Sequence, residues 1–121
     1  METQCKVKQY GIYWCDLPEN DQHIQSGRRP VIVISNNKCN AHSPVVTIIP
    51  VTTRVKKHLP THLMMSAELA KKYGLREAST VLAECIISTC KFSFAGFIGY
   101  ISDKEVQDKI EEKVLERILR F

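Results

Sequence analysis

At 121 residues, with 44% hydrophobic and 25% charged side chains, the chain has the size and composition of one globular domain spanning 1–121. Its formal net charge of +4 suits a polyanionic ligand without demanding one. No apolar run of about 18 residues occurs, which excludes a membrane-spanning helix, and Met1 to Tyr10 lacks the apolar core of a signal peptide, so a cytoplasmic protein is expected.

Gly11-Ile-Tyr-Trp-Cys-Asp16 reads as the first strand. A polar loop, Leu17 to Gly27, follows, with Pro18, Asn20, Asp21 and Ser26 as turn formers. Pro30 then opens Val31-Ile-Val-Ile34, an apolar run of the kind buried on both faces of a sheet, with the proline at its first position. A polar stretch, Ser35 to Ser43, leads into a third strand, Val45 to Thr52, where Pro50 predicts an edge or a bulge. A basic run (Arg54, Lys56, Lys57, His58) precedes Leu59-Pro-Thr-His62 and a short strand, Leu63 to Met65. Ser66 can cap a helix over Ala67 to Tyr73, and Gly74 can stop it. Thr80 to Thr89 and Phe94 to Ile101 read as two further strands. Ser102 with Glu105 predicts a capping box for a last helix, whose apolar residues Val106, Ile110, Val114, Leu115, Ile118 and Leu119 share one face. Many short strands with few helices predict a mainly β protein, a small antiparallel barrel.

The five cysteines, Cys5, Cys15, Cys39, Cys85 and Cys90, are odd in number and include no CxxC pair, so reduced thiols are expected. His42, His58 and His62 are scattered, and no spacing matches a metal site, so no metal or other cofactor is expected. Neither a glycine-rich phosphate loop nor a Ser-His-Asp arrangement is present.

Eight stretches in order resemble the MazF/PemK family of toxins, type II toxin–antitoxin endoribonucleases. They are Gly11-Ile-Tyr-Trp-Cys-Asp-Leu17, Gly27-Arg-Arg-Pro-Val-Ile-Val-Ile34, Asn40 to Pro44, Ile49-Pro-Val-Thr-Thr-Arg54, Leu59-Pro-Thr-His62, Gly74-Leu75, Val81-Leu-Ala-Glu84 and Gly99-Tyr-Ile-Ser102. The resemblance covers the chain from about Tyr10 to Leu119. It implies an SH3-like barrel with short inserted helices and a C-terminal helix, the CcdB/PemK-like toxin fold. It also implies a homodimer, a cognate antitoxin whose disordered tail folds over the groove, and metal-independent, sequence-selective cleavage of single-stranded RNA to 2′,3′-cyclic phosphate and 5′-hydroxyl ends.

Such cleavage needs a base for the ribose 2′-hydroxyl, a cation for the phosphorane and a proton source for the leaving oxygen. On the residues alone, Arg29 is a surface arginine beside a strand, held extended by Pro30. By resemblance it is the catalytic arginine, its fork suited to phosphate oxygens. Thr52 resembles the family's phosphate-holding threonine; strand alternation sends Thr53 to the other face. His23 and Gln25 fit the family's loop, but Ile24 stands where an acid is usual. Glu84 matches the acid that the PemK branch uses as base, yet Leu82 and Ile87 replace arginines expected nearby, which favours a structural Glu84 hydrogen-bonded to the barrel over a catalytic one. Arg28, Gln25, Thr53, Arg54, Lys56 and Lys57 would extend an RNA-binding track, with Tyr13, Phe92 or Phe94 stacking bases if exposed. The departures at Ile24 and Leu82 leave an alternative open: an RNA- or protein-binding module on the same barrel, such as a gyrase-poison-like toxin.

Overall fold

The computed structural model describes residues 6–17, 27–54 and 58–118. The strands are β1 (Gly11–Leu17), β2 (Gly27–Val33), β3 (Val45–Thr52), β4 (His62–Met65), β5 (Ser79–Leu82), β6 (Ile87–Cys90) and β7 (Phe94–Tyr100). Three α-helices, α1 (Asn37–His42), α2 (Ala67–Lys72) and α3 (Lys104–Ile118), and two 3₁₀ turns, Ala83–Cys85 and Lys91–Ser93, complete the described residues. Every pairing is antiparallel, in the order β4-β5-β3-β2-β1-β7, with β6 also on β3. The mainly β architecture is as expected. Among the described residues, however, no ladder joins β7 back to β4, so the sheet coils without closing into a barrel.

Alternation distributes the apolar runs between two cores. Ile12, Ile32, Ile49 and Val51 meet Tyr73, Met65, Val81 and the α3 residues Val106 and Ile110 in one. Tyr13, Cys15, Leu17, Val31, Val33, Val46 and Ile48 form the other. The middle of the sheet is therefore covered on both faces, which is why β2 and β3 read as continuous apolar runs. Tyr10, at φ +68°, ties the entrance of β1 to its neighbours: its N–H donates to Val33 O (2.6 Å) and its carbonyl accepts from Ile101 N (3.0 Å).

Several expected boundaries move. The second strand starts at Gly27, so Pro30 is its fourth residue, paired with Trp14. Proline is tolerated there because the β2–β3 ladder begins only at Val31. The third strand is central, and Pro50 sits where one edge of β3 changes partner, from β6 at Ile48 to β5 at Val51. Across that gap the facing chain needs extra length, and the Ala83–Cys85 turn supplies it, breaking the single strand expected over Thr80 to Thr89. The polar stretch after β2 contains α1, capped by Asn36, whose side chain accepts from Cys39 N (2.9 Å).

The second helix is capped as expected, Ser66 Oγ accepting from Leu69 N (3.2 Å), and Gly74 follows at φ +95°. The capping box expected at Ser102 gives way to a start at Lys104, with the Asp103 carbonyl accepting from Val106 N and Gln107 N (both 3.0 Å). The Asp103 carboxylate is engaged elsewhere, by the Tyr73 hydroxyl and by Lys72 Nζ (2.9 and 3.0 Å). Those bonds, Tyr73's first, hold its carboxyl below the usual carboxylate range. Of the apolar face of α3, Val106 and Ile110 are buried, Val114 packs against the core, and Ile118 is exposed; Leu119 lies outside the described residues.

Cys15, Cys39 and Cys90 are free thiols, and Cys5 lies outside the described residues. Alkylation of denatured, unreduced protein is expected to label five sites per chain, one for each cysteine of the sequence. Mass spectrometry finding two fewer would reveal a disulfide.

Candidate functional site

The β1–β2 ladder ends at Leu17 and Gly27, and just inside that end Cys15 faces Arg29 and Asp16 faces Arg28. Arg28 and Asp16 form a two-pronged pair, Nε to Oδ1 at 2.8 Å and Nη2 to Oδ2 at 3.2 Å. That bond lowers the Asp16 pKa and raises that of Arg28. The Arg28 charge is thus already answered by a carboxylate.

Arg29, half-buried, reaches the same place as the end of β3. A groove of about 490 Å³ is lined by Arg28, Arg29, Thr52 and Thr53, and closed by the Gly74–Glu77 turn and Phe97. Thr52 is buried, and its hydroxyl is tied to the next turn, accepting from Arg54 N (3.1 Å) and donating to Arg54 O (3.4 Å). Thr53 is exposed at the rim. Arg54 is exposed too, but does not line the groove.

Glu84 is not brought there. It sits in the Ala83–Cys85 turn, where Oε1 accepts from the Thr61 hydroxyl (2.9 Å) and Oε2 lies 2.7 Å from His62 Nε2. His62 Nδ1 accepts from Leu59 N (3.1 Å), which assigns the proton to Nε2 and makes Glu84 the acceptor. The Glu84 backbone carbonyl also accepts from Arg117 Nε on α3 (3.3 Å). His23, Gln25, Lys56 and Lys57 lie outside the described residues.

The proposed aromatic stackers also change. Tyr13 is buried, stacked on Phe94 with centroids 5.0 Å apart. Phe92 is exposed but lies in the Lys91–Ser93 turn, away from the groove lining. The exposed aromatics in the groove are instead Trp14 and Phe97, 40% and 63% exposed. A signal for Trp14 was present: in Tyr13-Trp-Cys-Asp-Leu17 it shares a face with Asp16, while Tyr13, Cys15 and Leu17 point inward. Phe97 carries no comparable signal, because β7 slips register twice along β1. Arg76 and Glu77 are further groove residues that the sequence did not single out.

Among the described residues no three His, Cys, Asp or Glu side chains gather as a metal would require. Nor is any described helix long and apolar enough to cross a membrane.

Known proteins agree with this architecture. Residues 8–118 match the family described as "PemK-like, MazF-like toxin of type II toxin-antitoxin system". The chain is 35% identical over 107 residues to endoribonuclease EndoA of Bacillus subtilis (strain 168), covering 88% of this chain and 89% of EndoA. The fold is that of MazF (Form-I) from Deinococcus radiodurans, at TM-score 0.74 and 23% identity, over 93% of this chain and 96% of that one. It is also that of an endoribonuclease in complex with its cognate antitoxin from Mycobacterial species, at TM-score 0.72 and 22% identity, over 93% and 94%. This chain belongs to the family of PemK-like, MazF-like toxins of type II toxin–antitoxin systems.

Proposed function

We propose that this toxin is an endoribonuclease whose reaction centre is the groove holding Arg29 and Thr52. The observation that carries this reading is their convergence: an arginine from β2 and a threonine from the end of β3 line one cavity, with two exposed aromatics at its wall. The substrate is single-stranded RNA. Its unpaired bases have π-faces that Trp14 and Phe97 can stack on, while the phosphate meets the Arg29 fork.

In the reaction the 2′-oxygen attacks the adjacent phosphorus and the 5′-oxygen leaves, giving a 2′,3′-cyclic phosphate and a 5′-hydroxyl. Arg29 donates hydrogen bonds to the phosphorane oxygens, where negative charge grows, and gives the departing 5′-oxygen the proton that makes it a hydroxyl, regaining one from solvent. Thr52 positions the phosphate by exchanging its bond to Arg54 O for one to a phosphate oxygen. With Glu84 committed to Thr61 and His62, the base is assigned to His23, since an imidazole nitrogen can accept the 2′-hydroxyl proton. Gln25, Thr53, Arg54, Lys56 and Lys57 hold the strand on either side, and Arg28 contributes less because Asp16 pairs it. The toxin acts in the cytoplasm as a homodimer and is silenced by an antitoxin whose disordered tail covers the groove.

No step of this chemistry calls for a metal ion. Purified protein incubated with long single-stranded RNA in excess EDTA is expected to cleave it, and end-group mapping to find 5′-hydroxyl ends. Activity that disappears in EDTA and returns with magnesium or manganese would overturn the mechanism.

A further inference from the structure

Arg28 stands in the groove wall yet serves the proposed reaction little, and the cause lies on the neighbouring strand. Asp16 is directly opposite it in the β1–β2 ladder, and the two are joined by the two-pronged pair of 2.8 and 3.2 Å. Both side chains stay open to water, 61% exposed for Arg28 and 56% for Asp16. An exposed pair of this kind adds little to stability, because water screens it and its fixed geometry costs side-chain entropy. Holding the sheet together is therefore a poor account of it.

The position of Arg28 supplies a better one. Trp14 and Arg28 line the groove that holds Arg29 and also a smaller cavity of about 230 Å³, closed by Ala95 on β7. Arg28 thus marks the passage between the two spaces, and an RNA strand running from the scissile phosphate toward β7 crosses it. A carboxylate and a phosphodiester each present two oxygens on one central atom, so a guanidinium fork that takes one fits the other. Asp16 therefore offers Arg28 the same charge, and nearly the same bite, as the strand would. It is also held in register across the ladder, so it competes at a high effective concentration that a free strand has to overcome. The hydrogen bond from Arg28 holds its carboxyl below the usual carboxylate range, which keeps it ionised at neutral pH. Asp16 lines neither cavity, so a strand that displaces it meets no obstruction there.

We infer that Asp16 is an intramolecular stand-in for an RNA phosphate: it occupies the Arg28 fork in the free toxin and yields it to a phosphate flanking the scissile one when RNA binds. The inference rests on the endoribonuclease reading and adds to it a residue that acts on affinity alone, through Arg28, without touching the reacting atoms. Charge is conserved in the exchange. One guanidinium pair breaks, another forms, and the Asp16 carboxylate passes to water. Binding in the wild type therefore gains little from Arg28, and its salt dependence hardly registers that residue.

The test is a double-mutant cycle of wild type, Asp16→Asn, Arg28→Ala and the double variant, with thermal melts run alongside. Binding is read by fluorescence anisotropy over a salt series, on a labelled 2′-O-methyl RNA of randomised sequence, which lacks the attacking hydroxyl. Asp16→Asn is expected to bind about three- to fivefold more tightly at low salt, the most that an exposed pair withholds. Its plot of log affinity against log salt should steepen by about 0.7, one added phosphate contact on a single strand. Arg28→Ala should cost little in the wild type but about three- to fivefold in the Asp16→Asn background. Single-turnover cleavage of unmodified RNA at saturating protein should be the same for Asp16→Asn and wild type. Unchanged or weaker binding by Asp16→Asn overturns the inference, and a lowered melting temperature with it identifies a structural clip. Additive effects of the two substitutions also overturn it, since Asp16 would then act by charge without Arg28. If the wild type binds RNA but cleaves none, the nuclease reading fails, while the binding cycle still decides for or against Asp16.

Discussion

Arg29→Ala is expected to lower single-turnover cleavage of RNA by about 10²–10³-fold, the usual cost of removing a donor aimed at transition-state charge. Binding of the same RNA should weaken much less, since the ground-state phosphate keeps the other contacts of the groove. Arg28→Ala is the informative control. It removes the same charge from the next residue of the same strand, but that charge is paired with Asp16 at 2.8 Å. Its cleavage rate should stay within about tenfold of wild type, a difference of about 1.4 kcal/mol in barrier height. Both variants should shallow the salt dependence of binding only slightly. Equal losses in the two, or a larger loss at Arg28, would remove Arg29 from its assigned role.

The second large effect concerns folding. A Cβ added at Gly99 would lie 1.9 Å from the carbonyl oxygen of Tyr73 and 2.7 Å from its carbon, so backbone, not a flexible side chain, stands in the way. The contact is reciprocal, because a Cβ at Gly74 would lie 2.5 Å from Ile98 O, on a residue already at φ +95°. The end of α2 and strand β7 therefore meet main chain to main chain. Gly99→Ala is expected to cost about 3 kcal/mol, the upper part of the range for overpacking a rigid site. Gly96→Ala, whose nearest neighbour would be Trp14 Cδ1 at 3.9 Å, should be almost neutral. Urea unfolding at constant slope separates them, and a Gly99→Ala midpoint matching wild type would refute the close approach. Gly74 and Ile98 both line the groove, so this variant should also lose cleavage in proportion to its distortion.

Legibility followed the range over which each feature is determined. The boundaries of α2 were written locally, in a serine cap and a terminal glycine, and the core side of α3 in its apolar spacing. The run in β2 announced burial on both faces, whereas β3, for which Pro50 suggested an edge, lies in the middle of the sheet. By contrast α1 is six residues long and polar, so no periodicity marked it, although Asn36 offered a cap. The break after β5 arises because β3 changes partners at Ile49 and Pro50, a fact of pairing that no local pattern records. The same holds at the site. Arg29 and Thr52 came from resemblance, and both line the groove. Glu84, taken from the same source, is joined instead to His62, 22 residues away in the chain, by a bond only the fold creates. Arg76 and Glu77 are ordinary charged residues until the turn after α2 carries them to the groove wall.

The seclusion of Cys15 gives the molecule an internal clock. Its thiol is fully buried and its pKa is pushed up to about 11, mainly by that burial, whereas Cys39 lies exposed on α1. A maleimide reagent will therefore modify Cys39 at once and reach Cys15 only when β1 parts from its neighbours, so the slow phase counts openings of the sheet centre. Because Cys15 stands directly across the ladder from Arg29, each opening counted is also one in which Arg29 has lost its seat. A ligand that seals the groove should lengthen that slow phase, so occupancy of the toxin can be timed from one sulfur atom without following RNA at all.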